Sequence, residues 1–138
     1  MNRQQKDFAL YSIETAHKRL REAAYLIDGG FYNSSIRASY YAIFDISKGL
    51  LNLKGIKTES HDRVKVMLSK EFIRAKMLPA DFAKKFTQLK ALREDADYEE
   101  YIEFTQVDAL EAYNEACDYV GYCKNLIKEI LKESESRL

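Results

Sequence analysis

Apolar residues recur at Ala9, Ile13, Ala16, Leu20, Ala23 and Ile27, steps of four and three that lay one stripe along a helix of about 24 residues. Gly29-Gly30 ends it. A second stripe of Ile36, Tyr40, Ile43, Ser47 and Leu50, widened by Tyr41, Phe44 and Leu51, predicts a helix from Asn33 to about Asn52, closed by Gly55. Thr58-Glu59-Ser60-His61 reads as the start of a short third helix reaching Phe72, with Val64, Met67 and Leu68 inward. After the break at Leu78-Pro79-Ala80, Asp81 is the expected N-cap of a fourth helix that aligns Phe82, Phe86, Leu89 and Arg93 and ends near Asp97. Thr105, with Asp108 three residues on, opens the longest element. Its expected stripe is Val107, Leu110, Tyr113, Cys117, Val120, Cys123, Ile127 and Ile130.

No alternating strand pattern competes with these helices, and the breaks between them are short. The expected fold is therefore all-α: an antiparallel up-and-down bundle of four long helices and one short one. With 138 residues the chain fits a single domain over 1–138, residues 134–138 being expected to fray. Five Gly and one Pro against 46% hydrophobic residues agree with a helical, turn-poor chain.

Charge and cysteine content narrow the function classes. The formal net charge is zero, so no global field draws the chain to nucleic acid or to an anionic membrane. Residues 1–90 nevertheless carry 17 basic and 9 acidic side chains, and residues 91–138 carry 5 and 13. These halves either cancel side by side or face two partners. Cys117 and Cys123 fall on different faces of one helix and cannot bridge while it stands. With no CxxC, no leader-like segment and no apolar run of membrane length, a cytoplasmic location without membrane contact is expected. Ten tyrosines, many beside the stripes, suit a seam between two copies of the chain as well as ordinary boundary packing.

Candidate chemistry is sparse. Arg37 shares a helical turn with Tyr41 and can stack on its ring while holding a carboxylate or phosphate, or simply form a salt bridge within the bundle. Arg93 lies among Glu94, Asp95, Asp97, Glu99, Glu100 and Glu103; it can pair with Asp97 and, beside Tyr98, contact an oxyanion. Asp95 and Asp97 point apart on a helix, so no metal site is expected there. No cofactor motif is legible, and no Gly-rich phosphate loop or nucleophile elbow. Of the two histidines, His17 reads as a solvated surface residue and His61 as a local turn residue.

Ser35-Ile36-Arg37-Ala38-Ser39-Tyr40-Tyr41-Ala42-Ile43-Phe44, Lys57-Thr58-Glu59-Ser60-His61 and Leu92-Arg93-Glu94-Asp95-Ala96-Asp97-Tyr98 together resemble the HEPN superfamily (higher eukaryotes and prokaryotes nucleotide-binding domains), in its small stand-alone prokaryotic branch. The resemblance spans nearly the whole chain. It implies a helical bundle, commonly a homodimer, often paired in a toxin–antitoxin system with a minimal nucleotidyltransferase. It also implies, for many members, a metal-independent ribonuclease that joins an Arg to a His a few residues downstream. Arg93 matches that Arg, but Asp97, Tyr98 or Glu99 stands where the His is expected, and no His follows.

Three readings result. The first is a non-catalytic module that binds a nucleotidyltransferase partner, a nucleotide or RNA through Arg37, Tyr41, Arg93, Asp97 and Tyr98. The second is a ribonuclease toxin using Arg93 with His61 or Tyr98. The third is a purely structural interaction protein in which the polar residues are bundle salt bridges.

Overall fold

A computed structural model describes residues 1–98 and 101–136. The first helix, α1 (Arg3–Asp28), begins with reciprocal caps: the Asn2 side chain accepts the Gln5 N–H at 2.9 Å, and the Gln5 side chain accepts the Asn2 N–H at 2.7 Å. Its buried stripe is the expected one, with Ser12 added. Gly30, at φ 82, supplies the left-handed residue that turns the chain out of the helix.

The second helix, α2 (Tyr32–Asn52), buries 14 of its 21 residues. A helix buried over most of its circumference belongs at the centre of a bundle. Here α2 packs on α1, on α3 (His61–Leu68), on α4 (Phe82–Ala96) and on α5 (Gln106–Ser136). Ser60 caps α3, its hydroxyl accepting the Arg63 N–H. The helix then widens into a π-turn over Ser69–Ile73, which buries Phe72.

Contacts between helices set the directions. Ser12, Arg19 and Ala23 of α1 meet Gly49, Asp45 and Ser35 of α2, so these two run antiparallel. Arg37 reaches the end of α4 at Ala96 while Tyr40 lies against Phe86, again antiparallel. Lys85 and Phe82 of α4 meet Glu115 and Tyr119 of α5, antiparallel once more. Asn33 holds the chain at Ile102 and Phe104, and Ser47 bonds to the buried Tyr119 hydroxyl at 2.7 Å, so α2 and α5 are the parallel, diagonal pair. The result is the expected up-and-down bundle of four long helices with α3 laid beside α2 and α4.

Two expectations need correction. In α5 the first half of the inward stripe is Ala109, Ala112 and Ala116; Val107 and Leu110 are 62% and 40% exposed, and Tyr113 and Cys117 are half-buried. Alanines let the α5 backbone approach its neighbours more closely than the larger side chains would, and α5 turns accordingly. Thr105 and Asp108 do cap this helix reciprocally, as expected. Asp81 stands at the start of α4 without capping it; its carboxylate pairs with Lys85 at 3.6 Å. The helix α5 runs through Ser136, with Ile130 and Leu131 packed on the core and the Ser136 hydroxyl bonded back to the Glu133 carbonyl. Arg137 and Leu138 lie outside the described residues.

Helices α1 and α2 approach closely at Gly49, where an added Cβ would run into the Ser12 side chain. Ser12 cannot yield cheaply, since its hydroxyl is bonded to the Ala9 carbonyl at 2.6 Å and buried. Gly49→Ala is expected to lower the unfolding free energy by about 1–3 kcal/mol, as overpacked cores do. Gly121→Ala, on α5 with open space around it, is expected to raise it by up to about 1 kcal/mol. Urea denaturation of both variants checks the contrast.

Candidate functional site

The sequence-selected residues part into two groups. Arg37 is a brace between helices: it donates to the Ala96 carbonyl and to the Ser34 hydroxyl, each at 2.9 Å, and lies 3.8 Å from Asp97. The cations over the Tyr41 ring are instead Arg93, 5.8 Å from its centroid, and Arg19 at 5.9 Å. Of the two readings of Arg37, stacking on Tyr41 or a salt bridge within the bundle, the geometry matches the salt bridge; Arg37 is directed to the free carbonyl end of α4, a favourable site for a cation, and Arg93 and Arg19 lie over Tyr41. Asp97, the residue that ends α4, stands between Arg37 and Arg93, the latter at 3.4 Å. Tyr98 is 63% exposed. No ring contact joins it to this group among the described residues, and Glu99 and Glu100 lie outside them.

Arg93 continues the Phe82–Phe86–Leu89 side of α4 onto α2, and its guanidinium sits 5.3 Å from the centroid of Tyr40. Its side chain is only 17% exposed, and its Nε is buried with no partner among the described residues. Cation–π contact with two rings offsets part of the cost of removing this charge from water. The long, partly exposed bond to Asp97 adds little.

His61 comes to the same rings from α3. Its ring stacks on Phe44 at 4.1 Å between centroids and lies 5.6 Å from Tyr40, whose hydroxyl is bonded to His61 Nδ1 at 2.5 Å. His61 is thus more than a turn residue: Ser60 starts α3 where its next side chain lands on the Tyr40–Phe44 edge of α2. Sequence reasoning had no means to bring His61 to Arg93. The usable signal was Tyr40 and Phe44 at i and i+4, an aromatic ledge on the helix facing both.

Burial holds the His61 imidazole below its ordinary value, and the positive charges of Arg93, Lys90 and Lys48 add to this, against Asp62. Burial pushes the Tyr40 hydroxyl far above its ordinary value, so it keeps its proton. Paired charges rim the cluster. Lys90 contacts Glu94 at 2.9 Å and Asp62 at 3.4 Å, and Lys48 contacts Glu59 at 3.1 Å while lying over Phe44. A guanidinium and an imidazole on one aromatic ledge can jointly meet an oxyanion.

Residues 9–130 match the family model for the HEPN domain. The chain belongs to the HEPN family. The chain is also similar to two proteins of Methanocaldococcus jannaschii that carry the name "Putative toxin". One, MJ0142, is 32% identical over 97 residues, 70% of this chain and 66% of that protein. The other, MJ0605, is 30% identical over 119 residues, 86% of this chain and 88% of that protein. A Pyrococcus horikoshii protein named UPF0332 protein PH1297 is 30% identical over 79 residues, 57% of this chain and 56% of its own length. The all-helical fold agrees with this HEPN membership, and no helix among the described residues is long and apolar enough to cross a membrane.

The lowered His61 value gives a signed expectation. The folded chain binds this proton less readily than the unfolded one, so the contribution to stability is complete above the ordinary imidazole value of about 6.5 and is lost as pH falls through the folded value. In an NMR titration Arg93→Ala should move the His61 midpoint upward, because it removes the strongest of the positive charges opposing protonation while burial remains. An unmoved midpoint would mean that Arg93 and His61 are not electrostatic neighbours in solution.

Proposed function

We propose that this HEPN protein is the toxin-type member of a toxin–antitoxin pair and binds a phosphate-bearing ligand, a nucleotide or RNA, at Arg93 and His61. The observation that carries this reading is the meeting of guanidinium and imidazole on Tyr40 and Tyr41. Tyr41 packs beneath Arg93, Asp97 steadies it from the end of α4, and Arg37 braces that end. Support for the toxin side comes from the relatives' names. The family resemblance supports a minimal nucleotidyltransferase as the partner and a homodimer as the assembly, and the exposed Tyr98 and Tyr101 give surface for either.

A non-catalytic role follows from proton placement. A phenol is the better donor and an imidazole nitrogen the better acceptor, so the Tyr40 O–H, held protonated, donates to His61 Nδ1. The neutral ring then carries its own proton on Nε2 and faces a ligand as a hydrogen-bond donor, not as a base. The second reading, a metal-independent ribonuclease, needs the opposite tautomer: Nδ1–H donating to Tyr40 and a bare Nε2 to take the 2′-hydroxyl proton, with Arg93 stabilising the phosphorane-like charge. The proximity of the two residues is what favours it.

End-labelled RNA incubated with purified protein in excess EDTA separates the two. The expected result is uncut RNA bound by the protein, with affinity reduced about tenfold or more in Arg93→Ala, the loss of a hydrogen bond to a charged group being about 1.5–3 kcal/mol. Cutting that disappears in both folded Arg93→Ala and His61→Ala variants would establish the ribonuclease instead. Neither binding nor cutting would sink both readings.

A further inference from the structure

Helices α4 and α5 meet at one end of their shared length and leave an open groove along the rest. Among the described residues their ring contacts and their ion pair lie together: Phe82 stacks on Tyr119 at 4.7 Å between centroids and also meets Tyr122, and Lys85 meets Glu115 at 3.9 Å. From there the groove, with a volume of about 620 Å³, has Gln88, Ala91, Leu92 and Asp95 on its α4 wall. Its α5 wall is Asp108, Glu111, Ala112 and Glu115. Each set recurs at i, i+3, i+4 and i+7, one helix face about two turns long. The buried Leu89 and Ala112 and the half-buried Leu92 make the floor apolar. Charge on the rim has one sign: four carboxylates line it against Lys85, whose ammonium is already shared between Glu115 and Asp81, the latter at 3.6 Å. Asp95 and Glu111 are exposed and make no ion pair among the described residues.

We propose that the α4–α5 groove docks a basic amphipathic helix of a partner protein, with the apolar ridge of that helix on the floor and its Lys or Arg side chains against the carboxylates of both walls. Two helices that part along a shared apolar floor accept a third helix between them. Ala91 and Ala112 are small residues on opposite walls, which leaves width for a large apolar side chain of the incoming helix. Carboxylates on both walls favour cations flanking that ridge and repel a nucleic acid strand, so the occupant is a protein segment of positive charge. The acidic half of the sequence, with 13 acidic and 5 basic side chains over residues 91–138, thereby gains a partner-facing role. A second copy of the chain supplies the charge without the ridge: the stretch 63–76 has five basic side chains and one acidic, but Val66 is its one exposed large apolar residue. The groove stands independently of the reading given to Arg93 and His61, since Arg93 lies on the flank of α4 turned to α2, over the Tyr40 ring.

The test is an NMR titration of the full chain with three synthetic peptides of one length: leucine and lysine in a helical period, leucine and glutamate in the same period, and lysine with glutamine in place of leucine. The leucine–lysine peptide should bind saturably, with amide shifts centred on Ala91, Leu92, Glu111 and Ala112, and the other two should bind about tenfold or more weakly. Asp95→Lys with Glu111→Lys should weaken the first peptide by about tenfold, through the rim. Ala91→Trp, which fills the groove from an exposed position, should weaken it similarly with every charge kept. Thermal melting followed by circular dichroism establishes that both variants are folded. Equal binding of the lysine–glutamine peptide, shifts centred elsewhere, affinity unmoved by Ala91→Trp, or no binding at all would each overturn the proposal. So would sedimentation showing a dimer that Ala91→Trp dissociates, because the groove then belongs to a second copy.

Discussion

A fully buried tyrosine must satisfy its hydroxyl, and the way Tyr40 does so organises one side of this bundle. Its ring belongs to the core, edge-on to Phe86 and stacked near Phe44, while its hydroxyl reaches out of the core to His61. That bond fixes where α3 begins relative to α2. The same ring gives Arg93 a surface on which a charge can lie with little water. Packing and electrostatics therefore meet in one side chain: α2, α3 and α4 each contribute to the cluster, and each is placed by burying residues around Tyr40.

The elements were legible because each long helix hides a stripe with a helical period, and stops coincide with Gly29-Gly30, Gly55 and Pro79. The face of α5 was less legible. Counting large apolar residues selects Val107 and Leu110, whereas the bundle selects Ala109, Ala112 and Ala116, whose value lies in the space they leave. Half of the candidate site was visible in the same way: Arg93 continues an apolar stripe, and an arginine in that position is placed by its helix. His61 was not visible as its neighbour, because the path between them passes through a π-turn and an irregular segment whose geometry has no periodic signature. The half-buried setting of His17, whose Nε2 is enclosed with no partner among the described residues, was missed for a related reason, since it depends on how α1 is covered by its neighbours.

The uneven charge of the two halves of the sequence is partly resolved inside the fold. Arg37 meets Asp97, Lys85 meets Glu115 and Lys90 meets Glu94, each joining the basic half to the acidic one. Such exposed or half-exposed pairs contribute little stability individually, and their main effect is to keep like charges apart. Arg21, Lys124 and Lys128 stand outside this pairing among the described residues, so the bundle is neutral in sum but not everywhere on its surface.

The π-turn at Ser69–Ile73 has a consequence for how this chain can vary. Its wide turn closes with the Arg74 N–H on the Ser69 carbonyl, one residue further along than an α-helix allows, and the Met77 N–H repeats that spacing on Phe72. One residue more than a regular helix would hold is wound into the segment. Removing that residue restores ordinary winding with the flanking turns in register, whereas removing a residue from the regular turns of α3 rotates everything beyond it by about 100°, carrying Phe72 away from the core. A one-residue change in the length of this chain is thus absorbed at the π-turn and not in the regular turns before it.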